Sequence, residues 1–167
     1  LRWEKLLPIY VAWQREREAS GWRFQAAEVE KRIDLTTPGG RHFRIVGRID
    51  RVDAHVDGAV SVVDYKTQAS ALLKKKLRRP GEDVQLPVYG LLWDAPVQEA
   101  MFLVLDRDEI RAVALEGDIQ TLSDDIRLRL GSALDSLSDG APLPANGSES
   151  ACAYCQAHGL CRRKHWA

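Results

Sequence analysis

The dipeptide Asp57-Gly58 lies between two apolar runs, residues 42–56 and 59–66, and this constrains the fold more than any other feature of the chain. Asp-Gly readily adopts the positive φ angles of a tight hairpin turn, so the two runs are expected to pair antiparallel. A second turn signal, Thr37-Pro38-Gly39-Gly40, connects the first run to an earlier strand-like segment from Trp22 to Leu35. Three successive strands joined by tight turns predict an antiparallel meander.

The flanking segments read as helices and one further pair of strands. Residues 2–19 carry an apolar stripe of Trp3, Leu6, Leu7, Tyr10 and Trp13 (or Val11), with Pro8 kinking or resetting the helix. Trp3 and Trp13 are read as core. Residues 72–77 and 83–93 are expected to be helical, separated by Arg79-Pro80-Gly81; residues 100–105 form a short strand with 110–115 as its hairpin partner. Residues 118–137 form an amphipathic helix with Ile119, Leu122, Ile126, Leu130, Leu134 and Leu137 on one side. A Pro/Gly/Ser loop over 140–150 leads to a cysteine-bearing tail. This order predicts an α+β (mixed α/β) fold with a central sheet flanked by helices.

At 167 residues, with 45% hydrophobic and 29% charged side chains, the chain has the size and composition of one globular domain. It starts at Leu1, which suggests a domain of a longer polypeptide. No run reaches the length of a membrane span, and no signal-peptide core is present. The formal net charge is zero, so a nucleic-acid partner would have to be held by a local basic patch.

The chemistry is expected between Gly47 and Tyr89. Asp50, Asp64 and Lys66 sit in or beside apolar strands, where an unpaired charge is costly. Asp64 and Lys66 are two apart and share a face of their strand. Counted from the Asp57-Gly58 turn, Asp50 and Asp64 lie at comparable distances and should be neighbours. Two adjacent carboxylates repel unless one is protonated or a cation bridges them. Oxygen ligands with room left for water and phosphate suit Mg²⁺ or Mn²⁺. Lys66 would then stabilise charge on a phosphate or orient the attacking water. Spacing alone is also compatible with a solvated hairpin carrying a cross-strand ion pair.

The residues GRIDRVD (47–53), VVDYKT (62–67) and Q-x-x-x-Y (85–89), in that order, resemble the PD-(D/E)XK nuclease superfamily, most closely the RecB-like and AddB-like nuclease domains of bacterial helicase–nuclease complexes. The resemblance runs from about Glu28 through Cys161. It implies a restriction-endonuclease-like sheet in a bacterial cytoplasmic enzyme of DNA repair or recombination, working beside a helicase domain or subunit. It also implies roles: Asp50 and Asp64 as metal ligands, Lys66 as the catalytic lysine, and Gln85 and Tyr89 beside the active site. Glu28 resembles the upstream acidic position, although Glu30 shares its face. The upstream histidine common in such domains has no counterpart here, and His42 and His55 read as ordinary strand or turn residues.

Lys74, Lys75, Lys76, Arg78 and Arg79 follow closely on the DYKT strand and are read as contacts to DNA phosphates, with little sequence specificity. Cys152, Cys155 and Cys161 are the only cysteines, and their spacing suggests metal ligation more than disulfides. In AddB-like nucleases the same spacing supplies three of the four ligands of a structural [4Fe–4S] cluster. The chain has no fourth cysteine, so a cluster is expected only in the full-length protein. A zinc site completed by His158 or His165 is the alternative. No phosphate-binding loop of the G-x-x-x-x-G-K-[ST] type occurs. Besides a metal-dependent deoxyribonuclease, two other readings remain open: an inactive nuclease-like DNA-binding module and a metal-stabilised interaction domain.

Overall fold

In a computed structural model of the chain, residues 2–79, 81–106, 109–142, 147 and 152–161 are described. The elements are α1 (Arg2–Ala19), β1 (Trp22–Thr36), β2 (His42–His55), β3 (Val60–Lys66), α2 (Ser70–Leu77), α3 (Gln85–Leu92), β4 (Glu99–Leu105), β5 (Ile110–Ala114), α4 (Ile119–Ser138) and a short α5 (His158–Cys161). The strands form one five-stranded sheet in the order β1-β2-β3-β4-β5. β1, β2 and β3 make the expected antiparallel meander. β4 and β5 make the expected hairpin. β3 and β4 pair in parallel, because the connection through α2 and α3 is long enough to carry the chain back to the starting edge.

Helices cover both faces of the sheet. On one face Val52, Val62, Phe102 and Val104 pack with Leu73 of α2, Leu86 and Leu92 of α3 and Ile119 of α4. On the other, Val63, Met101 and Leu103 pack beneath Tyr10 and Trp13 of α1. β3 is buried on both faces from Val60 to Asp64, as suits a central strand. β2 changes character along its length. From His42 to Arg48 its exposure alternates, as in a ribbon open to water on one side, and from Ile49 to Asp53 only Asp50 escapes full burial.

Two glycines explain the tight packing of α3. A Cβ on Gly47 would stand 2.7 Å from Leu92 Cδ1, so β2 accepts α3 there only without a side chain. A Cβ on Gly90 would overlap Ser123 Oγ of α4, and that hydroxyl donates to the Pro87 carbonyl at 2.7 Å. Pro87 falls in the first turn of α3, where its missing N–H costs little. With neighbours on several sides, α3 buries Leu86, Pro87, Tyr89, Leu91 and Leu92.

Two helix faces differ from the periodicity reading. In α1 the buried line is Leu6, half-buried Tyr10 and Trp13, and Arg17; Trp3 and Leu7 are 52% and 45% exposed. The stripe continues through a polar residue because Arg17 has buried partners on the sheet. In α4 the buried residues are Ile119, Ser123 and Gly131, an i, i+4 row beside the leucines, while Leu130 and Leu137 are exposed. Small residues let α4 approach α3 and the β1–β2 turn: a Cβ on Gly131 would lie 3.0 Å from Pro38 Cδ. Asp135, one turn further on, accepts from Thr37 Oγ1 at 2.6 Å, Gly39 N at 2.7 Å and Arg41 Nη1 at 2.9 Å. The Thr37–Gly40 turn is thus clasped by α4.

Candidate active site

The β2–β3 ladder runs from Ala54↔Val60 to Arg51↔Val63, the last pair. Continued by one residue, the register would set Asp50 against Asp64. At that point the backbones part, and the Tyr65 N–H donates to Asp50 Oδ2 at 3.1 Å. The opening between β2 and β3 therefore begins between two carboxylates. This is the neighbourhood expected from counting outward from the Asp57-Gly58 turn.

Asp64 is 2% exposed. Its Oδ1 accepts from Gln85 Nε2 at 2.5 Å and from Tyr89 OH at 3.0 Å. Its Oδ2 is the one buried side-chain nitrogen or oxygen among the described residues that takes no hydrogen bond. Lys66 Nζ stands 2.6 Å from that oxygen as an ion-pair partner. The same ammonium donates to Gln85 Oε1 at 2.7 Å. It also rests 5.1 Å from the centre of the buried Phe102 ring, a cation–π contact that steadies the stem. Burial pushes the Asp64 carboxyl above its ordinary value and the Asp50 charge adds to this; the Lys66 ammonium and the Tyr89 hydroxyl act in the opposite direction. Burial also raises Tyr89, so its hydroxyl stays protonated and can donate.

Helix α3 supplies two of these groups on one face. Gln85 Nε2 also reaches Tyr89 OH at 3.0 Å, the contact that a four-residue spacing on a helix allows. Val84, at the N-cap, offers no side-chain acceptor, so Asp83 Oδ1 takes the Gln85 N–H at 3.1 Å. The close approach at Gly47 presses α3 against β2 and so aims Gln85 and Tyr89 at Asp64.

The structure thus brings Asp50, Asp64, Lys66, Gln85 and Tyr89 together. Glu28 lies on the neighbouring strand. By register it lies across from Asp50, in β1, with φ at +52°, the one non-glycine residue at positive φ among those described. Its carboxylate is 3.0 Å from Arg48 Nε. No three or more His, Cys, Asp or Glu side chains come together as a metal-binding group among the described residues. Lys74, Lys75 and Lys76 form the last turn of α2, where cations suit the helix dipole, and Arg78 caps it. Lys74 and Arg78 line a groove of about 300 Å³ against Ala112, Val113 and Ala114 of β5. Arg79 is paired with Glu82 at 3.1 Å. Cys152, Cys155 and Cys161 form no disulfide. The side chain of His158, and all of His165, lie outside the described residues.

The reverse face carries a second charged cluster that no motif marks. Arg51 and Asp53, 3% and 0% exposed, lie beneath α1 with Arg17 and Ser61. Arg51 Nε donates to Asp53 Oδ1 at 2.7 Å and Arg17 Nε to Asp53 Oδ2 at 2.5 Å. Arg17 Nη2 reaches Ser61 Oγ at 2.7 Å and Glu99 Oε2 at 2.9 Å. The signal was the one that picked out Asp50: charges inside an apolar strand.

A mixed sheet flanked by helices, with two carboxylates and a lysine where a hairpin opens, defines the restriction-endonuclease-like class of fold. The chain belongs to the PD-(D/E)XK nuclease superfamily, whose family model matches residues 1–162. Members of this superfamily are usually nucleases acting on DNA and generally use Mg²⁺ or Mn²⁺. Among solved structures, the crystal structure of SSO0001 matches with a TM-score of 0.50 at 17% identity, covering 95% of this chain and 68% of that one. That likeness concerns the fold alone. No curated protein matches the chain. Among the described residues, no helix is long and apolar enough to cross a membrane.

Proposed function

We propose that this chain is a metal-dependent deoxyribonuclease domain in which Asp50 and Asp64 hold Mg²⁺ or Mn²⁺ and Lys66 assists phosphodiester hydrolysis. The observation that carries this reading is Asp64 Oδ2, a buried carboxylate oxygen met by the Lys66 ammonium at 2.6 Å as an ion pair and neighbouring a second carboxylate. A hard divalent cation is the partner this oxygen donor set fits. When bound, the ion would polarise the phosphoryl oxygen and acidify a water.

The protein's own groups divide the remaining work. Gln85 and Tyr89 occupy Asp64 Oδ1 and leave Oδ2 as the coordinating atom. Tyr65 N–H does the same at Asp50 Oδ2. Gln85 Oε1 holds the Lys66 ammonium at the rim, where it can follow charge from the carboxylate to a phosphate or orient the attacking water. Lys74, Lys75, Lys76, Arg78 and Arg79 would contact phosphates without reading bases. The surroundings we propose are those of DNA repair or recombination, with a helicase domain or subunit alongside. The thiols of Cys152, Cys155 and Cys161 are one short of a four-cysteine cluster, so a [4Fe–4S] centre would need a ligand from outside these residues, and no step depends on it.

The test is degradation of linear single- and double-stranded DNA with Mg²⁺ or Mn²⁺. Asp64→Ala and Lys66→Ala should each lower the rate by about 10²–10⁴-fold. Equal activity in wild type and both variants sinks the assignment. One observation favours a second reading, a domain that grips DNA without cutting: Glu28 is paired with Arg48, and among the described residues no group of three or more His, Cys, Asp or Glu side chains comes together. Salt-dependent DNA binding with no metal-dependent cleavage would select it.

A further inference from the structure

We propose that Arg51 and Tyr65 are positioning residues that set the separation of Asp50 and Asp64 from the opposite face of the sheet. This deepens the reading above and rests on Asp50 and Asp64 sharing a divalent ion.

Along the two strands the residues alternate. Asp50 is followed by Arg51, and Tyr65 lies between Asp64 and Lys66. Neighbours on a strand point to opposite faces, so Arg51 and Tyr65 project beneath α1 while the carboxylates and the lysine face the opening. They meet there. Arg51 Nη1 is 2.8 Å from Tyr10 OH and 3.5 Å from Tyr65 OH, and the two hydroxyls are 2.9 Å apart. Arg51 is further held by Gln14 Oε1 at 2.7 Å and Asp53 Oδ1 at 2.7 Å, and its guanidinium lies 5.1 Å from the Trp13 ring centre. That is more anchoring than neutralising one charge requires.

The position of this clasp gives it leverage. The backbone ladder stops at Arg51↔Val63, so no paired residues beyond it fix the spacing of the strands. Where the ladder ends, the Tyr65 N–H takes over and holds the Asp50 carboxylate directly. Tyr65 is therefore fixed at its hydroxyl on one face and fixes Asp50 through its amide. A divalent ion demands ligands placed to within about 0.5 Å, and a loosened clasp changes that spacing without touching a ligand.

The experiment is Mn²⁺ binding to DNA-free protein, followed by electron paramagnetic resonance, with thermal unfolding in chelator alongside. Tyr65→Phe and Arg51→Lys keep shape or charge and should bind Mn²⁺ about tenfold more weakly than wild type. Arg17→Lys, in the same buried network but without contact to Tyr65, should lower the unfolding temperature and leave Mn²⁺ affinity unchanged. Wild-type affinity in both Tyr65→Phe and Arg51→Lys overturns the proposal, and so does an equal loss in Tyr65→Phe and Arg17→Lys. If Arg51→Lys does not fold, Tyr65→Phe alone decides. Absence of Mn²⁺ binding in folded wild type defeats the metal reading itself and the positioning role with it.

Discussion

The two faces of the sheet carry polar clusters of opposite character. Beneath α1, both Asp53 oxygens are taken by arginines, and Arg17 and Arg51 divide their remaining donors among Ser61, Glu99, Gln14, Tyr10 and Tyr65. On the α3 face, Asp64 is as deeply buried, yet one of its oxygens is left without a hydrogen bond. Desolvating a charge is costly on both faces. The saturated network spends its contacts on joining α1 to three strands. The other leaves one Asp64 oxygen to the Lys66 ion pair alone, in a site whose shape is already fixed, as the proposed ion would require. Degree of satisfaction, not burial, separates the structural carboxylate from the one we propose to hold metal.

Substitutions on the two faces should therefore fail in different ways. Asp53→Ala would leave two guanidinium groups facing each other out of water, and unfolding in urea should show a loss of about 3–5 kcal/mol. Asp64→Asn should do the reverse, lowering cleavage by about 10²–10⁴-fold while the fold persists. Metal-free protein sharpens the contrast. The Asp64 carboxyl is raised in the folded state, so the folded state holds that proton longer than the unfolded chain does. Wild-type stability should then fall as pH rises from the ordinary 3.8 through the raised value, and level off above it. Asp64→Asn should lack that fall and be the more stable protein at neutral pH; urea midpoints across the range provide the check.

Smaller effects should trace how the open face is aimed. Gly47→Ala places a methyl group 2.7 Å from Leu92 Cδ1, which should cost about 1–3 kcal/mol and reduce activity by tilting α3. Activity that recovers in Gly47→Ala/Leu92→Ala would attribute the loss to that contact. The mildest change is Lys75→Ala on exposed α2, with stability expected to stay within about 0.5 kcal/mol. If Lys75 neutralises a phosphate, the slope of log affinity against log salt for duplex DNA should shrink by about 0.9.

Much of this fold could be read in the sequence because its signals are local. Asp57-Gly58 and Thr37-Pro38-Gly39-Gly40 mark turns by their own backbone preferences, and strand alternation puts Asp64 and Lys66 on one face. Gln85 and Tyr89 share a helix face by spacing alone. What escaped the reading depends on partners far along the chain. Arg17 continues the buried line of α1 only because Asp53, Ser61 and Glu99 await it 36, 44 and 82 residues away. The leucines of α4 suggested the packing face, but Ser123 and Gly131 permit closer contact with α3 and the turn, and closeness decided the outcome. Glu28 stands across from Asp50 by register, and the exposed ion pair it makes with Arg48 is a contact the motif does not announce.

The clasp between Asp135 and the Thr37–Gly40 turn has a consequence in time. Gly39 precedes Asp135 by 96 residues, so at ordinary rates of synthesis the turn leaves the ribosome about 5–20 s before the side chain that closes it. Over that interval the far ends of β1 and β2 are an isolated two-stranded ribbon, which is marginal in water. β1 is also an edge strand, and its Glu30, Lys31, Arg32 and Asp34 discourage pairing with another nascent chain. A polypeptide ending before α4 would carry every residue of the carboxylate–lysine cluster and still leave the ribbon beside it unfastened.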